Sequence, residues 1–548
     1  MESALEGAVL TPLPGWSVGA EIMTANPGTF EFIEQRVREA PLATDRGKQF
    51  EWLCRFFLLN APKYRGMFTS VWLWDDWPGR WGVDKGIDLV AATRDGHLWA
   101  IQAKAISPDR SIPKSEVDSF LSESNRPEFA YRLIIATTND IGHHAWHTLE
   151  SQEKPVGVAL RSDLLQAALR WPEQIGDTSA PLPAKQPRPH QLAAISDVIK
   201  GFGQCDRGQL IMASGTGKTL TALWIAEALE SSLALVLVPS LSLISQTLSE
   251  WRRNACCPFD YLVVCSDDSV AHGGADAPVH RTGELGIPVT TDPARIREFL
   301  TWDSDRPSVV FCTYQSSDRL AEAQKNARAV FDLVIADEAH RCTGPASGVF
   351  ATVLDAAKIK ARKRLFLTAT PRYFTGHVKA LAEEADLEVA SMDDVATFGP
   401  RFHELSFGRA IREDLLTDYQ VVIIGVTREE AKQWAEAGRL VQTPEGVVTD
   451  ARTIAAQIGL AKAMVKYDLR RVITFHSSVA KAREFGDPAG ATSFPGTIRR
   501  LSEPAQPSGT VWTAAVYGEM PAGRRLTFLD RLRGVSNDER GSGRFWGF

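Results

Sequence analysis

Three groups of residues in this sequence have the types and spacing to do chemistry. The first is Gly215-Thr216-Gly217-Lys218-Thr219, which follows the apolar run Leu210-Ile211-Met212 and leads into a helical pattern, Leu220 to Glu230. Strand, glycine-rich turn and helix, in that order, make a cradle for phosphate. Gly215 and Gly217 let backbone N–H groups converge on an anion, and the helix start adds its positive dipole end. Lys218 then reaches the β- and γ-phosphates of a nucleotide, and the Thr219 hydroxyl is a ligand for Mg²⁺. The second group, Asp337-Glu338-Ala339-His340, closes the apolar run Phe331 to Ala336. Ligands of an open α/β sheet sit beyond the C-terminal ends of its strands. Asp337 is therefore placed to hold Mg²⁺, and Glu338 to orient or deprotonate an attacking water. Either group alone is a weak signal; both, in this order and each after an apolar run, point to nucleoside-triphosphate hydrolysis. The third group is Asp88, Gln102 and Lys104. Asp88 enters a strand, Leu89 to Ala92, that turns at Arg94-Asp95-Gly96-His97 and returns as Leu98 to Ala105. Residues two apart on a strand share a face, so Gln102 and Lys104 point the same way, and hairpin pairing brings Asp88 near them.

With these motifs the chain resembles the superfamily-2 helicases and translocases that carry a DEAH box, in the style of restriction-enzyme motor subunits. One departure from the phosphate-loop pattern is Met212, which stands where the first glycine is usual. Pro187-Arg188-Pro189-His190-Gln191 is similar to the segment whose glutamine reads adenine, which makes ATP the implied nucleotide and Gln191 part of its site. A Gln amide can pair with adenine N6 and N7. The resemblance further implies that Pro239-Ser240-Leu241 and Thr313-Tyr314-Gln315-Ser316 contact nucleic acid, through Ser240, Thr313, Tyr314 and Gln315. It also implies that His340, Thr368 and Thr370 couple hydrolysis to domain movement. Leu415 to Val422 and Thr474-Phe475-His476-Ser477 resemble the opening of a second RecA-like domain.

The hairpin group resembles the Mrr-type branch of the PD-(D/E)xK nucleases, in which Gln replaces the usual acidic residue. The resemblance implies that Asp88 binds Mg²⁺, that Lys104 holds the nucleophilic water or the phosphate, and that Gln102 positions a metal ligand. Glu51, on a helix with apolar positions Phe50, Leu53, Cys54, Phe57 and Leu58, matches the family's upstream acid. Tyr131 to Thr137 and Val156 to Leu160 continue the strand-rich pattern. Nine of the 15 tryptophans precede residue 172. Trp72, Trp74, Trp77 and Trp81 have rings that could stack on bases, but packing in and around a core is the plainer reading.

The elements that must position these groups divide the chain into five parts. Residues 1–43 are a weakly patterned extension, 44–171 the nuclease domain and 172–187 a linker rich in Pro, Ser and Ala. Residues 188–395 are the RecA-like ATP-binding domain and 396–548 a second RecA-like domain beginning near Phe402. Strands are expected at Leu210–Met212, Leu233–Val238, Tyr261–Cys265, Val309–Thr313, Leu333–Ala336 and Leu365–Leu367. Alternation of strand and helix implies a doubly wound parallel sheet. Ala356 to Arg364 reads as a polar or helical solvated face, and Arg362-Lys363-Arg364 as a solvated basic run. In the second domain, strands are expected at Tyr419–Val426, Arg471–Phe475 and Val511–Tyr517, and helices at Ile454–Lys466 and Ala522–Arg533. The fold class is thus α/β: a restriction-endonuclease-like domain followed by RecA-like domains.

Composition constrains the partners. The net charge of −6 argues against a broad basic surface, so contact with double-stranded DNA must use local grooves. The 7 cysteines form no C-x-x-C pair, which speaks against zinc and for reduced thiols in a cytoplasmic protein. No apolar run approaches the ~18 residues needed to span a bilayer. The reading is an ATP- and Mg²⁺-dependent translocase on double-stranded DNA coupled to an endonuclease, as in restriction or phage defence, with a methyltransferase or specificity subunit as a further partner. The alternative is a truncated nucleotide- and DNA-binding fragment without sustained turnover. It is motivated by the absence of a Q-x-x-G-R-x-x-R segment and by the tail Phe545-Trp546-Gly547-Phe548, which fits no family pattern. On either reading the second RecA-like domain is expected to be incomplete, and the chain alone to bind ATP with little DNA-stimulated hydrolysis.

Overall fold

Two sheets carry the residues singled out above. The computed structural model describes residues 26–424, apart from 83–85, 179–180, 267–280, 326, 346–348 and 375–388, and then residues 451–501 and short stretches up to 547. The first sheet has five strands in sequential order: β1 (Phe68–Leu73), β2 (Leu89–Thr93), β3 (Leu98–Lys104), β4 (Phe129–Ala136) and β5 (Val156–Ala159). β1, β2 and β3 pair antiparallel, and β3, β4 and β5 parallel. The β2–β3 hairpin turns through Gly96 at φ +85°, a left-handed conformation that glycine adopts without a steric penalty. Strand alternation sends Leu89, Ala91, Trp99 and Ile101 to one face and Val90 and Ala100 to the other. Helix α2 (Ala43–Asn60), which follows α1 (Phe30–Glu39), covers the first face with Leu53, Cys54 and Phe57. Helices α3 (Lys114–Glu123) and α4 (His143–Glu150) cover the second with Val117, Phe120 and Trp146.

The domain starts earlier than its sequence suggested. Phe30, Ile33 and Val37 of α1 are buried in its core; the Phe30 ring lies 4.8 Å from that of Trp171, and Glu34 pairs with Arg161 at 2.7 Å. Trp74 and Trp77 are buried and Trp81 packs against them, so the tryptophan cluster is core.

The second sheet contains seven strands, every neighbouring pair parallel: β6 (Arg207–Met212), β7 (Leu233–Val238), β8 (Asp260–Val264), β9 (Ser308–Thr313), β10 (Phe331–Ala336), β12 (Ala361–Thr368) and β14 (Arg401–Leu405). Their order is β14-β6-β12-β10-β7-β9-β8. The short β11 (Gly344–Pro345) and β13 (Val389–Ala390) pair with each other. β9 is buried along its whole length and β7 along all but its first residue, as the near-continuous apolar runs require when helices cover both faces.

Two boundary expectations are corrected here. Residues 401–405 belong to this sheet and do not open a second domain. Phe402 lies flat against Gly201 and Gly208, where a Cβ on either glycine would strike its ring, and meets Phe202 edge-on at 5.1 Å. The basic run is not solvated as a whole: Ala361–Arg364 starts β12, and Arg364 is buried, donating to the carbonyl oxygens of Ile359 and Val353.

A third sheet, β15 (Arg471–Ile473), β17 (Arg544–Gly547) and β16 (Val511–Ala514) in that order, is parallel throughout, with the chain's last described strand in its centre. Helices Ala451–Lys466, Val479–Gly486 and Phe494–Arg500 accompany it. The expected strand Tyr419–Val426 is not found over residues 419–424, which are exposed and unpaired in any sheet; 425 and 426 lie outside the described residues. Part of the expected helix Ala522–Arg533 also lies outside them.

The first two sheets share one continuous core. At their junction Tyr64, fully buried, donates its hydroxyl to the Gly286 carbonyl at 2.9 Å, and Tyr261 donates to the Lys63 carbonyl at 3.1 Å. Arg94–Asp305 at 2.8 Å and Arg281–Glu150 at 2.6 Å add ion pairs at the rim.

Candidate functional site

The glycine-rich turn joins β6 to α7 (Lys218–Ala228) at the C-terminal edge of the seven-stranded sheet. Gly215 and Gly217 sit at φ +87° and +89°, so the turn uses the freedom for which glycine is needed. Thr216 closes the turn by donating its hydroxyl to the Ala213 carbonyl at 2.7 Å. The Lys218 ammonium donates to the Met212 carbonyl at 3.3 Å, folded back over the loop. Two residues of the preceding helix α6 (Pro189–Phe202) brace it from behind. Gln191 receives the Arg188 N–H at 2.9 Å and donates to the Gly217 carbonyl at 3.3 Å; a His190 ring nitrogen lies 3.0 Å from the Thr216 carbonyl. Gln191 is buried, and this bracing leaves it one amide hydrogen and one carbonyl lone pair for any base. Sequence reading missed the role of His190, whose contact runs to a turn 26 residues away.

Asp337 and Glu338 follow β10, separated from β6 by β12 alone. The Asp337 N–H donates to the Leu237 carbonyl at 2.9 Å, continuing the sheet, and its carboxylate receives the Glu338 N–H at 2.9 Å. Burial pushes the Asp337 carboxyl up to about 6. The negative charge of Glu338 adds to that, and Lys218 and His340 oppose it. Glu338 goes the other way: a hydrogen bond from His340 lowers it first, and Lys218 adds to the lowering. The charge of Lys218 thus bears on both carboxylates, and the turn after β6 and the turn after β10 open at the same edge of the sheet. The His340 Nδ1 lies 3.2 Å from the Glu338 carboxylate and 3.0 Å from the Thr368 hydroxyl. Thr368 in turn accepts the Thr370 N–H at 3.1 Å. The three residues expected to couple hydrolysis to movement are thus physically linked. Glu338 itself occupies left-handed backbone, φ +51°, a strained conformation for a residue with a side chain.

The donor set suits a nucleotide with its cation. Among the described residues no three His, Cys, Asp or Glu side chains cluster to hold a metal by themselves.

The residues expected to touch nucleic acid divide into two pairs. Ser240 caps α8 (Leu241–Asn254), accepting the Leu243 N–H at 3.4 Å, and stays partly accessible, as does Gln315. Thr313 and Tyr314 are buried, so in this structure neither is placed to touch DNA. Thr313 donates to the Ser316 hydroxyl at 3.1 Å and Tyr314 to the Asp337 carbonyl at 2.6 Å.

In the five-stranded sheet, the β2–β3 register pairs Leu89 with Ile101, and the next step sets Asp88 across from Gln102. The Asp88 carboxylate accepts the Ala103 N–H at 2.6 Å. Gln102 is buried and donates to the Gly86 carbonyl at 3.1 Å, while its own carbonyl oxygen, equally buried, has no protein donor. Burial raises the Cys54 thiol well above its usual range, and the charges of Asp88 and Glu51 raise it further. Both carboxylates therefore act on the same buried atom. The Lys104 ammonium lies 3.8 Å from Glu116 on α3, a residue that the hairpin pattern gave no reason to single out. The structure thus sets Asp88 across from Gln102 at one end of the sheet, with Lys104 on the strand face shared by Gln102, while Glu51 stands on α2, the helix over the opposite face.

Two family models match this chain. A family model described as a restriction endonuclease matches residues 59–180, and one described as the res subunit of type III restriction enzymes matches residues 184–373. The probable helicase A859L of African swine fever virus (Badajoz strain) is 28% identical over 306 residues, covering 55% of this chain and 30% of its own. The same helicase from a Pretoriuskop tick isolate is 34% identical over 194 residues, covering 35% and 20%. A solved structure, the ATP-dependent Type ISP restriction-modification enzyme LlaBIII bound to DNA, superposes over 95% of this chain and 34% of its own, with 27% identity and a TM-score of 0.76. The chain spans about a third or less of the length of these relatives.

Proposed function

Because this chain joins an Mrr-type restriction-endonuclease domain to a helicase domain of the restriction-enzyme type, we propose that it is an ATP-driven motor on duplex DNA that carries a Mg²⁺-dependent nuclease and serves restriction or phage defence. One observation supports the motor half above all: Lys218, Asp337, Glu338 and His340 interact at the C-terminal edge of a single parallel sheet. No helix among the described residues is long and apolar enough to cross a membrane.

In this reading the main-chain N–H groups around Gly215 and Gly217 receive the phosphates, and Lys218 leaves the Met212 carbonyl to neutralise them. Thr219 and Asp337 would hold Mg²⁺, which when bound neutralises charge developing on the phosphate oxygens. Glu338, kept ionised by its His340 hydrogen bond, takes the proton of the attacking water. His340 and Thr368 then pass the change in the Glu338 environment to the segment ending in Thr370. Gln191 contributes adenine recognition through its remaining hydrogen and lone pair while still bracing the loop. Ser240 and Gln315 are the accessible candidates for DNA contact.

In the nuclease half, Asp88 would hold Mg²⁺ with Glu51 in support, and the ion would polarise the scissile phosphate. The unpartnered Gln102 carbonyl is the donor-seeking atom that orients a ligand there. Lys104 holds the water or phosphate. LlaBIII is described as a restriction-modification enzyme, and by analogy a methyltransferase or specificity part would complete the present system.

The test is a pair of separations. Asp88→Ala and Lys104→Ala each eliminate Mg²⁺-dependent cutting of duplex DNA and leave nucleotide binding intact. Glu338→Gln keeps nucleotide binding and removes phosphate release. Cutting by Asp88→Ala at the wild-type rate would end the nuclease assignment without touching the motor.

A further inference from the structure

Tyr314 belongs to the loop expected to contact nucleic acid, yet it is fully buried. Its ring packs against Phe350 at 5.3 Å, and its hydroxyl donates to the main-chain carbonyl of Asp337 at 2.6 Å. That carbonyl leads into the peptide of Glu338, the residue at φ +51°. A side-chain-bearing residue stays in left-handed backbone only where its surroundings hold it there. The restraints on this turn can be counted. The Asp337 N–H is held by Leu237 of β7, the Glu338 N–H by the Asp337 carboxylate, and the Glu338 carbonyl by the Arg341 N–H at 3.0 Å. The Asp337 carbonyl is held by Tyr314.

We infer that Tyr314 is a positioning residue for the Asp337–Glu338 turn: its hydroxyl fixes the strained peptide that aims the Asp337 carboxylate. The same residue follows β9 directly and opens the turn whose accessible member is Gln315, and its neighbours lock it there. Ser317 donates to the Tyr314 carbonyl at 2.6 Å, and Thr313 to Ser316 at 3.1 Å. This inference rests on the nucleotide site proposed above and gives it a second anchor on the nucleic-acid side.

The experiment is a titration of the full 548-residue chain with a fluorescent non-hydrolysable ATP analogue, with and without Mg²⁺. Tyr314→Phe removes only the hydroxyl. Loss of the hydroxyl's bond to the aiming carbonyl, and with it the hydroxyl's contact with the Cys342 thiol, should raise the Mg²⁺ concentration for half-maximal enhancement of binding by about 3- to 10-fold. Affinity for the analogue without Mg²⁺ stays at the wild-type value. Phe350→Leu is the control, because it loosens the same packing and keeps the hydroxyl; it should leave the Mg²⁺ dependence unchanged. An unshifted Tyr314→Phe, or an equal shift in Phe350→Leu, would overturn the inference by reducing Tyr314 to a packing residue. Failure of the wild-type chain to bind the analogue at all would be a different result: it would refute the nucleotide site itself, and this inference with it.

Discussion

Gly217→Ala offers a sharp quantitative test of the phosphate cradle. Gly217 stands at φ +89°, ψ +33° as the N-cap of α7, and left-handed backbone costs an alanine about 1–2 kcal/mol. A Cβ at this position would also meet the Gln191 amide nitrogen at 2.5 Å, so Gln191 must move and give up its bond to the Gly217 carbonyl. That bond is long, at 3.3 Å, and contributes about 0.5–1 kcal/mol. The binding-competent loop therefore loses about 1.5–3 kcal/mol relative to other conformations, which weakens apparent nucleotide affinity about 10- to 150-fold. In a Gln191→Ala background the clash and the lost bond vanish. Only the dihedral term remains there, so the same substitution weakens affinity about 5- to 30-fold. Fluorescence titration of the four proteins with a non-hydrolysable ATP analogue gives both ratios, and their difference is the coupling between brace and loop. Wild-type affinity in Gly217→Ala, or identical ratios in the two backgrounds, would refute the argument that Gln191 braces this glycine.

Other consequences are simpler. Tyr64→Phe leaves the buried Gly286 carbonyl without its donor and should destabilise the protein by about 1–3 kcal/mol. Because the five- and seven-stranded sheets share a core, the melt should shift downward and remain one transition over both; two separate transitions would show that the domains fold independently. His340→Ala removes the hydrogen bond that lowers the Glu338 carboxyl. Glu338 then protonates at higher pH, so the acidic limb of basal ATP hydrolysis should move upward in pH while analogue affinity at neutral pH holds. An unmoved acidic limb in a pH–rate profile would show that His340 does not set the state of Glu338.

Much of this molecule was legible in its sequence because its local signals agree with its fold. The runs Leu233–Val238 and Phe331–Ala336 are too short and too apolar for anything but strands buried on both faces. Asp95-Gly96 could only be a tight hairpin turn, which in turn fixed the parity of Gln102 and Lys104. What stayed hidden depends on partners distant in sequence. Nothing in Arg401–Leu405 says which sheet it joins; the reason is the bare surface of Gly201 and Gly208, some two hundred residues earlier. Arg364 looked solvated because its acceptors are main-chain carbonyls, which leave no trace in residue type. Tyr314 looked like a DNA contact because a motif records that a tyrosine stands there, and not which way it points. The helix Phe30–Glu39 is a different case: Phe30, Ile33 and Val37 have helical spacing that the surrounding prolines and glycines obscured.

On the reading proposed above, Gly215–Thr219 and Asp337–Glu338 form one nucleotide site, with Lys218 as the charge that unites them. Calorimetric titration of the purified chain and of Lys218→Ala with a Mg²⁺-bound, non-hydrolysable ATP analogue tests it directly. The expected result is saturable binding of one analogue per wild-type chain and no measurable heat of binding in Lys218→Ala, with both proteins melting alike in the absence of nucleotide. Equal affinity in the two proteins would contradict it.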